Sequence, residues 1–541
     1  MSKRRDLVRE LLDRHCLITP ESYEILEDLD EDVIDIDKLA EVLKDEIVVT
    51  AEKLNEALSS FVEILSEGEI DAELEINQPT IEIRQEIDKQ EIREKSSDVT
   101  EMKIKPKKKI TKVEFDPIGK KIKPKIKVLQ DSSGKTTIEG TIVDFRKYFL
   151  SRYNQLRNIL KKRGDIAGLL SIRDLDRAKL EANERITVIG IVTEKKSLKN
   201  GGMLIDVEDP TGHLTLTISA KNPELVGKSG TLLQDQIAGF YGRLYEEMFI
   251  VEDLIFPDIP ISATKPKISD QISVCMTSDL HIGSKEFLED SFNNLLDFLN
   301  GRIDDPYQQT IASQVKYLIV NGDLVEGIGI YPKQEDDLLI TDIYDQYKHA
   351  ANLLAKVPDW INIIITSGNH DACRLALPQP AVSKEYAPDL WKMSNVTFLS
   401  NPSTVEIHGK VFLIYHGNSF EDVASLTPGL SVNDPNGPMI YTLRYRHLAP
   451  TYGRRSSIVP TLKDELVIEK VPHVYHTGHI HINSHTRYRG VECINSGTFQ
   501  SQTDYMLSKN INPTPGRVPI LNLQTNKLHE LVFFEKTEPR K

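Results

Sequence analysis

Apolar residues recur at helical spacing near the start of the chain. Leu7, Val8, Leu11 and Leu12 form one stripe, and Leu54, Leu58, Phe61, Val62 and Leu65 form another after Thr50. Between them, Thr19-Pro20-Glu21 offers a capping hydroxyl followed by proline at the first helical position. The pattern predicts a small all-α interaction module over residues 1–66. From residue 67 the periodicity is lost. Isolated isoleucines alternate with acids and bases up to residue 98, without an aromatic residue, and then the charge changes sign. Lys103, Lys105, Lys107, Lys108, Lys109, Lys112, Lys120, Lys121, Lys123, Lys125 and Lys127 stand against Glu114 and Asp116. Such a stretch cannot bury a core, so residues 67–135 are expected to be a flexible, charged, Lys-rich linker. Two roles stay open for it: a solvated spacer, or a salt-sensitive hold on a phosphate backbone.

Helical spacing returns over residues 140–182, where Phe145, Tyr148, Phe149, Tyr153, Leu156 and Leu160 share a face. The period then shortens. Residues 186–192 are β-branched and glycine-interrupted, 204–212 end in a turn, and 214–218 alternate as a half-exposed strand does. After a polar insert, two further strands are expected around 239–242 and 249–251. Five strands with a connector between the third and fourth predict an OB-type β-barrel domain over residues 183–262. Such a barrel either grips single-stranded nucleic acid or serves subunit contact. Residues 268–541 alternate strands with helices, for example strands at 272–277, 315–320, 361–366 and 411–415 and a helix over 343–357. This is an α/β, sandwich-type plan. The fold class is therefore multidomain, and 541 residues fit two to four domains of about 150 residues each.

Composition changes this picture little. An apolar fraction of 39% is that of an ordinary globular protein. No apolar stretch approaches the roughly 20 residues of a membrane helix, and Met1-Ser2-Lys3-Arg4-Arg5 leads into an amphipathic helix rather than a signal peptide. Cys16, Cys275, Cys373 and Cys493 lie far apart with no CxxC pair, which argues against disulfides or a zinc ribbon. A soluble, cytoplasmic protein with no membrane partner is expected. The net charge of −15 would speak against nucleic acid, but the balance reverses along the chain, so the average is not informative.

The candidate chemistry lies in short clusters that follow the apolar runs of the last domain. They are Asp279-Leu280-His281, Gly322-Asp323, Gly368-Asn369-His370-Asp371, His416-Gly417 and Gly478-His479-Ile480-His481. Open α/β sheets place their sites at the carboxyl ends of strands. Glycine beside nearly every cluster lets the backbone turn sharply and approach closely. A carboxylate such as Asp323 can bridge two cations about 3.5–4 Å apart, the spacing for in-line displacement at phosphorus. Imidazoles and an Asn carbonyl suit Mn²⁺, Fe²⁺ or Zn²⁺ rather than Ca²⁺. A histidine outside both shells would protonate the leaving oxygen. His349, His408, His447, His473, His476 and His485 are read as ordinary structural histidines.

In order and type these clusters resemble those of the calcineurin-like metallophosphoesterases, over residues 272–500. The resemblance implies that Asp279, His281, Asp323 and His481 hold one divalent ion. Asp323, Asn369, His416 and His479 would hold the other, with His370 as proton donor. Glu326 stands where many relatives carry Asp or Asn, and receives no ligand role. A narrower resemblance covers nearly the whole chain. The segments Asn321 through Pro332, Ile343-Tyr344-Asp345-Gln346-Tyr347, Arg446-His447-Leu448-Ala449-Pro450 and Asn512-Pro513-Thr514-Pro515-Gly516 look like those of the small subunits of archaeal family-D DNA polymerases. That implies a heterodimer with a large catalytic subunit, in which this chain trims single-stranded or mismatched 3′ ends of DNA as a 3′→5′ proofreading exonuclease. The ions would be Mn²⁺ foremost, with Mg²⁺, Fe²⁺ or Zn²⁺ as alternatives. Two rival readings are a catalytically inert scaffold subunit, opposed by the complete ligand set, and a free-standing metallophosphatase, opposed by the barrel and tether. Leu531-Val532-Phe533-Phe534 resembles a sliding-clamp peptide, but that register would put Glu530 at an apolar position; a terminal strand is the better reading.

Overall fold

Four short runs of buried residues lie side by side as parallel strands: β11 (Ser273–Thr277), β12 (Val315–Asn321), β13 (Asn362–Thr366) and β14 (Val396–Leu399). They are apolar on both faces because both faces are covered. Met276, Ile319 and Ile364 point to one core, while Cys275, Leu318, Val320, Ile363 and Ile365 point to another. Two antiparallel strands, β20 (Arg517–Asn522) and β21 (Leu528–Val532), extend this sheet, so the C-terminal run is a strand, as its sequence suggests.

A second sheet contains β15 (Ser403–Ile407), β16 (Lys410–Ile414), β17 (Val474–Thr477), β18 (Ser484–Tyr488) and β19 (Val491–Asn495). Val405, Phe412, Ile414, Val474 and Ile494 face the first sheet and close the inner core. Phe292 and Leu295 of one helix (Glu289–Leu299), with Tyr347 and Ala350 of another (Ile343–Leu354), cover the outer face of the first sheet. Met439 and Leu443 of the helix Asn436–Tyr445 cover the second. The result is a sandwich of two sheets between helices.

This computed structural model describes residues 115–135, 138–175, 184–245, 248–261 and 266–534, together with the strand residues 17–18, 48–49 and 99–103. Residues 1–80 and 81–541 form two units. In the first, β1 (Leu17–Ile18) pairs in parallel with β2 (Val48–Val49); the expected helices over 1–66 lie outside the described residues. The linker expectation for 67–135 needs correction. Strand β3 (Val99–Lys103) pairs in parallel with β21 at one sheet edge, and β4 (Ile126–Asp131) pairs with β15 at the edge of the other. Residues 67–98 and 104–114 lie outside the described residues. Lys121 pairs locally with Asp116, whereas Lys125 Nζ is 3.0 Å from Asp270, just before β11, so that lysine is tied to the sandwich. Edge strands tolerate such charge because one of their backbone rows stays in solvent.

The span 140–182 is helical only in part. Helix α1 (Ile142–Lys161) starts at a capping box built by Thr141 and Asp144, and after it come the short strand β5 (Leu169–Leu170) and the helix turn Ile172–Leu175. Next, strands β6 (Arg185–Ser197), β7 (Met203–Asp209), β8 (Gly212–Ile218), β9 (Ile237–Tyr245) and β10 (Met248–Ile255) form a barrel. β6, β7 and β8 pair in order, β10 joins β8 in parallel, and β9 closes the ring between β10 and β6. The polar insert is a helix, Pro223–Gly230.

Barrel and sandwich share a core. Tyr441 and Tyr445 pack with Phe240 and Phe249, and the Tyr441 hydroxyl donates to Thr231 O at 2.8 Å. Helix α1 is fastened to the sandwich through fully buried Arg152. Its guanidinium donates to Asp464 Oδ2 at 2.8 Å, Pro450 O at 2.7 Å and the Tyr148 hydroxyl at 3.1 Å. No helix among the described residues is long and apolar enough to cross a membrane.

Candidate metal centre

The singled-out residues follow the carboxyl ends of parallel strands from both sheets. Asp279 comes after β11, Asp323 after β12, Asn369 and His370 after β13, His416 after β16, and His479 and His481 after β17. Asp279, His281, Asp323, His479 and His481 all have left-handed backbone, with φ of 54°, 53°, 49°, 69° and 62°. Each such residue costs of order 1 kcal/mol or more, a strain that collects at functional sites. The loops are tied to each other: Asp279 N donates to Gly322 O at 3.1 Å, and His281 N to Asp323 O at 3.0 Å. Glycine is needed where they touch. A Cβ on Gly322 would strike the His416 ring, and one on Gly368 would strike the Asp323 carboxylate.

Their side chains converge. His416 Nε2 lies 3.2 Å from Asp323 Oδ2, His481 Nε2 lies 3.4 Å from Asp279 Oδ1, and His281 Nε2 lies 3.0 Å from His481 Nε2. Among the described residues three groups come close enough to hold an ion: Asp279 with His281 and His481, His281 with Asp323 and His370, and Asp323 with His416 and His479. His416 Nδ1 is 2.8 Å from Asn321 O, which can only accept, so Nδ1 carries the hydrogen and the Nε2 lone pair faces Asp323. A lone pair and a carboxylate oxygen at that distance need a proton or a cation between them. Accordingly, although burial opposes charge, Asp323 and Asp279 hold the His416 imidazole up to about 10. The buried Asn369 Oδ1 has no hydrogen-bond partner, a second sign that the donor set suits a cation. Four histidines, one Asn carbonyl and two carboxylates make a mixed N and O donor set that could hold divalent ions.

Sequence reasoning missed the residues that aim these groups. Glu326 Oε2 lies 2.8 Å from His281 Nδ1 and accepts from Gln500 Nε2 at 3.0 Å, while Gln334 Nε2 donates to its carbonyl at 3.0 Å. It fixes the His281 ring with Nε2 toward the cluster. The Glu326 carbonyl also meets His370 Nδ1 at 2.8 Å. Asp371 accepts from Gly368 N at 2.9 Å and the Tyr347 hydroxyl at 3.0 Å, bracing the turn that carries Asn369. Burial and then Asp323 push its carboxyl up to about 6. The available signal was an acid three residues after Asp323, inside a glycine-bounded loop.

The six histidines read from the sequence as structural each have a partner outside the cluster. His349 meets Glu289, His408 meets Asp270, His447 meets Asp464, His473 meets Val411 N, His476 meets Ser496 and His485 meets Glu492.

A cavity of about 690 Å³ opens over the cluster, lined by His281, Asp323, Asn369, His370, His479 and His481 among others. Its rim is acid-rich: Glu286, Asp337, Glu421 and Asp504 against Lys285, with the rings of Tyr331 and Tyr505.

Residues 274–485 match the family model for the B subunit of DNA polymerases alpha and epsilon. The DNA polymerase II small subunit of Methanothermobacter thermautotrophicus is 42% identical over 403 residues, 74% of this chain and 82% of that one. The corresponding subunit of Pyrococcus horikoshii is 38% identical over 438 residues, covering 80% of this chain and 69% of that one. That of Archaeoglobus fulgidus is 40% identical over 395 residues, covering 73% and 78%. Among solved structures, an archaeal phosphodiesterase is similar over 48% of this chain and 99% of its own, at 15% identity and a TM-score of 0.24.

Proposed function

This chain belongs to the small subunits of archaeal DNA polymerase II, and from that membership we propose that it is the 3′→5′ exonuclease partner of a large catalytic polymerase subunit. The observation that carries the proposal is the convergence of Asp279, His281, Asp323, His416, His479 and His481 on one cluster, beside the unpartnered Asn369 Oδ1 and beneath an open cavity that His281, Asp323, Asn369, His370, His479 and His481 line. Asp279, His281, Asp323 and His481 would hold one divalent ion, and Asp323, Asn369, His416 and His479 the other. When bound, two such ions, Mn²⁺ foremost, would supply positive charge to a scissile phosphodiester and lower the pKa of water toward neutrality.

The protein's own part is to position and to move a proton. Glu326 and the Asn321 carbonyl orient His281 and His416 so that Nε2 faces inward. His370 lines the cavity, and its Nδ1–H is spent on the Glu326 carbonyl. Its Nε2 is therefore the atom that would deliver a proton to the departing 3′ oxygen. The barrel, read as OB-type, would steer single-stranded DNA toward the cavity. A scaffold without catalysis has no use for the strained, fully furnished loops.

The purified protein is expected to degrade single-stranded or mismatched 3′ ends with Mn²⁺ and to stop with a chelator. Asp323→Ala and His370→Ala are each expected to abolish cleavage while leaving the melting temperature of the chelated protein within a few degrees. Wild-type cleavage by both variants would refute the site. Tagged protein from native extract should carry a much larger polymerase subunit, and elution as a lone monomer would refute the heterodimer.

A further inference from the structure

One exposed loop joins the barrel to the cavity, and its composition is that of a strand-binding surface. Tyr452-Gly453-Arg454-Arg455 is exposed between buried Thr451 and Ser456. At one end Tyr452 N donates to Asp235 Oδ2 at 2.8 Å; Asp235 lies just before β9 of the barrel. At the other end Arg455 N and Ser456 N donate to the Asp422 carboxylate at 3.3 and 2.9 Å, and Ser456 Oγ donates to Asn418 O at 3.0 Å. Asp422 adjoins Glu421, which lines the cavity. Four extended residues span at most about 14 Å, so the loop is a short, fixed bridge between the two.

The loop carries one aromatic and two basic side chains, Tyr452, Arg454 and Arg455. The Tyr452 ring packs edge-on against Phe145 and Phe149, with centroids 5.0 and 5.9 Å away, yet is 43% exposed. Arg455 pairs with Glu421 at 2.5 Å while its side chain stays 68% exposed. Such an exposed pair holds little energy, so a phosphate can take the place of Glu421. Tyr505, on the helix Asp504–Ser508, is 56% exposed, lines the cavity and lies within electrostatic reach of both Glu421 and Arg455. The acidic rim by itself repels a polyanion, whereas this loop offers two guanidinium groups and the Tyr452 ring, and the helix beside the cavity adds the Tyr505 ring, on which bases can stack.

We propose that Tyr452, Arg454, Arg455 and Tyr505 form a guide track that leads a single-stranded DNA 3′ end from the barrel into the cavity. The track rests on the phosphodiesterase reading for its purpose, but its test does not need catalysis. The full-length chain is titrated in chelator with a fluorescent oligothymidine of about 15 nucleotides, at several salt concentrations. The double substitution Arg454→Gln with Arg455→Gln is expected to weaken binding about tenfold and to flatten the slope of log affinity against log salt by about 1.4, for two lost phosphate contacts. Tyr505→Ala is expected to weaken binding about tenfold through lost stacking. Unchanged affinity and slope in the double variant overturn the track. So does retained DNA affinity with loss of the large polymerase subunit in a pull-down, which would make the loop a protein interface. A wild type that binds the oligonucleotide but fails to cleave it with Mn²⁺ leaves the track standing and overturns only the catalytic reading.

Discussion

At the scale of single residues, the candidate centre depends on side chains outside the groups that could hold an ion. Glu326 holds His281 by a 2.8 Å contact and sits under Gln500 and Gln334, so its carboxylate decides which way the imidazole faces. Outer partners of this kind are worth about 10- to 100-fold in metal affinity. Glu326→Ala should therefore weaken Mn²⁺ binding by that factor, read by calorimetric titration, with circular dichroism unchanged. An equal affinity would show that His281 needs no such support. Gly322 makes the reverse case, where any side chain is too much. It has a φ of 79° and no room for a Cβ beside His416, so Gly322→Ala should lose stability by about 1–3 kcal/mol and lose Mn²⁺ affinity together.

At the scale of elements, α1 is the strap between barrel and sandwich. Its buried Tyr148, Tyr153, Leu156 and Leu160 supply the apolar face, and its capping box fixes where it starts. Arg152 supplies the specificity, because its guanidinium reaches the sandwich at Asp464 and Pro450 and the barrel at Asp235 O. Removing one partner of a buried ion pair leaves the other charge unpaired, at about 3–5 kcal/mol. Arg152→Met should lower unfolding stability by that amount in a urea titration, and a loss under about 1 kcal/mol would mean that water reaches Asp464. The edge strands β3 and β4 make a different point. They lie in a charged, lysine-rich stretch of the sequence, yet each completes a sheet through backbone hydrogen bonds, which need no particular side chain.

For the whole molecule, Asp464 ties stability to pH. Burial alone would raise its carboxyl, but His447 and Arg152 reverse this and hold it well below the usual carboxylate range. Ala449 N donates to His447 Nδ1, so the neutral imidazole offers its Nε2–H to Asp464 at 2.8 Å. A carboxyl depressed in the folded state takes up its proton first in the unfolded chain. The stabilisation is then complete above the unfolded value of about 3.9 and is lost as pH falls below it toward the folded value. Acid titration of the wild type should show this loss below about pH 4. In Arg152→Met the dependence should be flatter, so the two unfolding curves converge as pH falls. Parallel curves would assign the acid sensitivity to other carboxyls.

The sequence by itself determined which residues stand at the ends of strands. Apolar runs such as 315–320 form buried strands, and the covalent chain then puts Gly322-Asp323 at the rim whatever else happens. It also determined the barrel's five strands, through their alternation and turns. Only the tertiary structure decided which rims meet. Asp279 and His481 are 202 positions apart in the numbering, and their 3.4 Å contact exists because two sheets pack face to face and present their carboxyl ends to one cavity. The role of Glu326, the pairing of β3 and β4, and the bridging loop at 452–455 belong to the same class. Each depends on a distant partner's position, and neither local propensity nor residue spacing encodes that position.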